Sequence, residues 1–105
     1  MPTVQSLAEF LQQRVPPELD LNLPIDTLAA LLIYQLIKSP QQVVVRCRGG
    51  DGLTAMEFDV GAENKGRVIG KHGHLIKALR SLCRSIERSR NRDVILDIAG
   101  WESSD

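Results

Sequence analysis

Gly66-Arg67-Val68-Ile69-Gly70-Lys71-His72-Gly73-His74-Leu75-Ile76-Lys77 is the stretch on which the reading of this chain turns. Gly70 and Gly73 bracket a basic dipeptide, with an apolar pair before it and an amphipathic helix pattern after it. Lacking Cβ atoms, the two glycines permit a tight turn and the close approach of another chain's backbone. The helix expected beyond Gly73 carries no proline and no acid in its first turn. Its free N–H groups and the positive end of its dipole therefore face the turn, which makes the turn an anion site. Lys71 and His72 lie where a backbone phosphate would sit. A Walker-type nucleotide loop is excluded, because it needs four residues between its glycines and then Lys with Ser or Thr. Only Arg67, Val68 and Ile69 separate Gly66 from Gly70, and His72 follows Lys71.

Working outward, His74 to Ser89 reads as a long helix. Leu75, Ile76, Leu79, Leu82, Cys83 and Ile86 form an apolar stripe at steps of three and four, opposed by Lys77, Arg80, Arg84 and Arg88. Lys77 and Arg80 lie nearer the glycine loop and are the better phosphate candidates, whereas Arg84 and Arg88 read as a solvated face that suits the helix C-terminus. Ala62 to Ile69 is a short helix leading into the loop. Asp93 to Ala99 alternates as a strand with Val94, Leu96 and Ile98 inward.

Upstream, Gln42 to Arg48 and Leu53 to Val60 alternate in the same way, around the turn signal Gly49-Gly50-Asp51-Gly52. They predict an antiparallel hairpin in which Arg46 and Arg48 face Glu57 or Asp59. Asp26 is the expected N-cap of a helix running to Lys38, whose apolar residues wrap so much of its circumference that it is well buried or meets another chain. Val4, Leu7, Ala8, Leu11 and Val15 fall at helical spacing, predicting an N-terminal helix over Thr3–Val15 with Ser6 and Glu9 as a capping box. Pro16-Pro17 ends it, and an extended linker follows to Pro24.

The order helix, strand, strand, helix, loop, helix, strand predicts a two-layer α+β domain. Its three-stranded mixed sheet carries helices on one face, and a parallel pair is joined by the two-helix crossover. Residues 1–25 are expected to form the N-terminal helix and linker, 26–99 the domain, and 100–105 a polar tail in which Trp101 has no assigned position.

The chain's net charge of zero conceals an asymmetry. Residues 1–60 carry four basic and seven acidic side chains, a local charge of −3, whereas residues 61–92 carry nine against two, a local charge of +7. A polyanion responds to the local field more than to the sum. Only 4% of residues are aromatic, which argues against recognition built mainly on ring stacking. The longest apolar run, Leu28 to Ile33, is too short to span a bilayer, and the N-terminus lacks the features of a secretion signal. Cys47 and Cys83 read as reduced, buried thiols of a cytoplasmic protein. They fall on apolar faces of different elements, so with His72 and His74 they make no metal site. No nucleophile–base pairing is present, so no enzyme activity and no cofactor are expected.

The run Val-Ile-Gly-Lys-His-Gly, with Ile76 and the basic helix behind it, resembles the I-G-x-x-G signature of the KH family of single-stranded nucleic-acid-binding domains. The resemblance covers roughly Thr27 to Ala99 and is to the small stand-alone bacterial KH proteins of the KhpA type, with the αββααβ order called type II. The family's GxxG loop clamps a nucleic-acid backbone. It implies RNA binding by Arg67, Val68, Ile69, Gly70, Lys71, His72, Gly73, Lys77 and Arg80, in a groove between the loop and the sheet edge. Val68, Ile69, Ile76 and Leu79 would form its apolar floor or belong to the core. A bacterial RNA chaperone or post-transcriptional regulator is implied, with single-stranded RNA as ligand and a homodimer or a heterodimer with a second RNA-binding protein as its assembly. Single-stranded DNA is not distinguished from RNA by this loop. The rival reading is a protein-interaction or dimerisation module on the same fold. The N-terminal helix and proline linker depart from the family pattern, as does His72, which stands where other polar or basic residues are commoner.

Overall fold

The computed structural model describes residues 3–14 and 23–101. The linker expected over residues 16–24 lies mostly outside them, as does the tail beyond Trp101. The elements run β1 (Thr3–Ser6), α1 (Leu7–Arg14), α2 (Ile25–Leu36), β2 (Val44–Gly50), β3 (Leu53–Asp59), α3 (Gly61–Ile69), α4 (His74–Ser89) and β4 (Asp93–Ile98), with 3₁₀ turns at Pro40–Gln42 and Lys71–Gly73.

The hairpin forms where the sequence predicts it. Asp51 (φ 45°) and Gly52 (φ 79°) both adopt positive φ, as a two-residue primed turn requires, and Gly50 pairs with Leu53. β3 and β4 lie parallel, joined through α3 and α4. Val45, Met56, Phe58, Val94, Leu96 and Ile98 point to the helices and are buried. Across them pack Ile25, Ala29, Ala30 and Ile33 of α2, Val68 of α3, and Ile76, Leu79 and Cys83 of α4. Leu82, expected in the apolar stripe, is instead 49% exposed. On the open face Arg46 pairs with Glu57 at 3.0 Å.

Among the described residues the sheet has four strands in the order β1-β2-β3-β4, where the sequence reading expects three. The additional strand is Thr3–Ser6, which pairs antiparallel with β2 from Thr3–Cys47 to Ser6–Val44. The expected helix over Thr3–Val15 is therefore a strand followed by a shorter helix. Ser6 marks the junction: its Oγ accepts the Glu9 N–H at 3.2 Å, so helical backbone begins only after it. Val4, which helical spacing assigns to an apolar face, sits on the open side of the sheet at 58% exposure. Leu7 and Phe10 enter the same core as the other helices.

Asp26 is not the N-cap of α2. Pro24 occupies that position at φ −58°, and its carbonyl accepts the Leu28 N–H at 3.0 Å. Asp26 lies in the first turn, where its carboxylate accepts the Thr27 N–H at 2.7 Å and pairs with Arg14 at 3.0 Å. The Cys47 thiol donates to it at 3.7 Å. This polar cluster fastens α1, α2 and β2 together.

Candidate nucleic-acid interface

The glycine loop is set by its own chain before any ligand arrives. Gly70 ends α3, donating its N–H to Gly66 O at 3.0 Å. It holds φ 78°, ψ 174°, a region open essentially to glycine alone, and a Cβ there would lie 2.7 Å from Leu75 Cβ. Gly73 (φ 74°) closes the turn by donating to Gly70 O at 3.1 Å. Between them His72 takes a left-handed conformation at φ 57°, ψ 22°, which histidine tolerates better than most residues. The His72 and His74 rings stand 5.8 Å apart. Among the described residues no side chain caps α4, so the backbone donors of its first turn face the loop.

α3 is held in place by a residue the sequence reading does not single out. Asn64 is buried and donates Nδ2 to Lys38 O (3.0 Å) and Val60 O (3.1 Å), while its Oδ1 accepts Lys38 N–H at 2.8 Å. One side chain thus ties α3 to the exit of α2, and with it the approach to the glycine loop.

Lys71 and His72 are exposed at the tip of the loop, and Arg67 is exposed in the last turn of α3. Lys77 is half-buried one helical turn beyond Gly73. Ile69 is half-buried against the core. Val68 is fully buried, so the ligand contact expected of it is unavailable to a side chain without exposed surface. Ile76 and Leu79 belong to the core as well, the second of the two roles open to them.

Arg80 stands apart from the loop cations. Its Nε donates to the Leu96 carbonyl at 2.7 Å and its Nη2 to Asp97 Oδ1 at 3.1 Å. It thereby covers a backbone acceptor on the outer strand β4. Arg90 and Arg92 are likewise engaged, both reaching the buried Glu87 at 3.3 Å. Arg80, Arg90 and Arg92 of the basic segment are thus paired with carboxylates.

Between α4 and β4 runs an open cleft of about 920 Å³, lined by Arg80, Arg84, Glu57, Asp97 and Trp101 together with the β4 backbone. Trp101 is half-buried at one end of it. Its N–H donates to Ile98 O at 3.1 Å, and the Arg80 guanidinium lies 5.2 Å from the ring centroid. On the loop side, a Cβ on Gly73 would stand 3.3 Å from the indole Cζ2. Trp101 therefore bridges the end of β4 and the glycine loop, a placement that neither spacing nor periodicity announces.

Both cysteines are free. Burial, then the Asp26 carboxylate, pushes the Cys47 thiol up to about 11, and burial with Glu87 raises that of Cys83. Neither is poised as a nucleophile at neutral pH. Among the described residues no group of three or more His, Cys, Asp or Glu could hold a metal ion, and no helix is long and apolar enough to cross a membrane.

An αββααβ core with a positive-φ glycine turn between its central helices defines a KH domain, and comparison with known proteins agrees. The family model described as "KhpA/KhpB, KH domain" matches residues 27–98. Curated relatives include the RNA-binding protein KhpA of Treponema pallidum, 33% identical over 73 residues, covering 70% of this chain and 91% of that protein. The RNA-binding protein KhpA of Clostridium perfringens is 30% identical over 71 residues, covering 68% and 95%. That of Listeria monocytogenes is 28% identical over 74 residues, covering 70% and 97%. No solved structure gives a significant match. The chain belongs to the KhpA/KhpB KH-domain family.

Proposed function

We propose that this chain binds single-stranded RNA across its glycine loop and the cleft beside it, as a non-enzymatic RNA chaperone or post-transcriptional regulator in a bacterial cytoplasm. The observation that carries this is the loop's geometry. Lys71 and His72 are exposed on a positive-φ turn directly before the uncapped N-terminus of α4. Backbone N–H groups and two basic side chains thus converge where a phosphate would lie. The relatives named RNA-binding proteins support the same reading. The core takes the type II order, and Gly70, Lys71, His72 and Gly73 hold the backbone, with Arg67 and Lys77 adding charge at the rim. Arg80 contributes at the cleft wall.

The test is binding of a short fluorescent single-stranded RNA at two salt concentrations by the native chain and by a Lys71→Asp, His72→Asp variant. The native chain binds, salt weakens it, and the variant, folded by circular dichroism, loses at least tenfold in affinity. Equal binding by both chains, or none by the native chain, overturns the reading. Single-stranded DNA of the same sequence, run alongside, shows whether the groove reads the ribose.

A second reading, assembly with another copy or a second RNA-binding protein, draws on the open face of the sheet. Val4, Leu53 and Ile95 are all exposed there, at 58%, 37% and 47%. Two grooves joined in this way would bind one strand far more tightly than either alone.

A further inference from the structure

We infer that Trp101 is a base-stacking platform of the groove, receiving a nucleobase of the strand whose backbone the glycine loop holds. This deepens the RNA-binding reading and rests on it.

The chain has four Phe, Trp and Tyr residues, and three of them are unsuited to stacking on a ligand here. Phe10 and Phe58 are buried, with exposures of 1% and 0%, and Tyr34 projects from α2 without lining the cleft. Trp101 alone of them lines it. Low aromatic content therefore does not exclude stacking, because the single indole stands beside the phosphate loop.

Its position is fixed by three contacts from three parts of the fold. The bond to Ile98 O sets its backbone, Arg80 lies over the ring, and Gly73 packs against the benzo edge. Arg80 is itself held by the Leu96 carbonyl and Asp97, so ring and guanidinium form a preset surface rather than two mobile side chains. Preorganisation of this kind removes much of the ordering cost of binding. The ring keeps part of its surface exposed, and every nucleobase has a π-face to offer it. Because the loop that would hold phosphate touches the same indole, a base and its own backbone can be engaged together. Trp101 lies three residues beyond the family-matched residues 27–98.

Trp101 is the only tryptophan, so its fluorescence reports this site alone. The probes are a short single-stranded RNA and the matching abasic ribose-phosphate strand, with binding followed independently by anisotropy of a label on each strand. RNA is expected to quench the indole of the native chain in step with binding, and the abasic strand to bind without quenching. Trp101→Ala is expected to weaken RNA binding about tenfold and to leave the abasic strand unaffected. Trp101→Phe retains most of the affinity, which separates stacking from loss of fold. Bound RNA that leaves the fluorescence unchanged overturns the inference while RNA binding stands. So does Trp101→Ala binding RNA as well as the native chain, and tighter binding would show instead that the ring obstructs the groove. If the native chain binds no RNA, the functional reading and this inference fall together.

Discussion

The glycine loop and the N-terminal segment are both small irregular additions to one core, and they are built on opposite principles. The loop's shape is dictated within a few residues. Gly70 stands against Leu75, Gly73 donates to Gly70, and His72 is strained only mildly between them. The N-terminal segment is held by partners distant in sequence. Leu7 N–H donates to Val43 O at 2.7 Å, Arg14 pairs with Asp26, and Thr3–Ser6 borrows its ladder from β2. Local construction leaves the Lys71 and His72 side chains exposed at the loop's tip. Remote construction commits the segment's polar groups to the fold itself: Arg14, for instance, is used twice, on Asp26 and over the Phe10 ring at 4.3 Å.

Gly70→Ala should produce the largest effect and test the local half of the contrast. It combines a backbone region closed to alanine with a Cβ 2.7 Å from Leu75 Cβ. A loss of about 3 kcal/mol or more is expected in urea denaturation, together with loss of RNA binding. Gly61→Ala sharpens the point, since φ is again 78° but a Cβ there meets nothing within 4 Å. It should cost only about 1 kcal/mol and leave RNA binding intact. Equal costs at the two positions would show that conformation alone, and not packing on Leu75, fixes the loop.

Asp26→Ala addresses the remote half. It removes the acceptor shared by Arg14, the Thr27 N–H and the Cys47 thiol in a largely buried site, where the Asp26 side chain is only 12% exposed. A cost of about 2–4 kcal/mol is expected. Amide exchange should accelerate across Thr3–Arg14, while the affinity for RNA of the chain that remains folded holds within about twofold. If RNA binding fell along with the stability, the two regions would be coupled and the contrast between them would fail.

The same difference explains what was legible in the sequence. The bounds of α4, His74–Ser89, coincide with those read from periodicity, and the hairpin strands carry the expected inward residues, because both patterns are local. The tight glycine turn between α3 and α4 was legible for the same reason. β1 was not, because a four-residue strand exists only by virtue of a partner some forty residues away, and Val4 and Leu7 imitate helical spacing meanwhile. The roles of Asn64, Arg80 and Trp101 were hidden likewise, since each is defined by contacts with the backbone or ring of a distant element. Val68 shows the converse: a residue inside the right motif can still belong wholly to the core.

The smallest effect expected is also the most specific to the N-terminal fastening. Cys47 has an ordinary thiol value of 9.0, raised in the fold to about 11 by burial first and by Asp26 second, with Arg14 acting in the opposite direction. A raised value means that the folded chain keeps its proton where the unfolded chain has lost it. The contribution to stability is therefore complete below about 9 and disappears as pH climbs through about 11. Cys47→Val retains the packing and removes the titration. The stability of the native chain relative to this variant should be constant up to pH about 9 and then decline toward pH about 11, in urea titrations run at matched ionic strength. Because Cys47 is only half-buried, the decline should be a modest fraction of the total stability. Repeating the pair in the Asp26→Ala background should shrink the decline, since the carboxylate's share of the shift is then gone. An undiminished decline in that background would assign the whole effect to burial and remove Asp26 from the electrostatic account of the cluster.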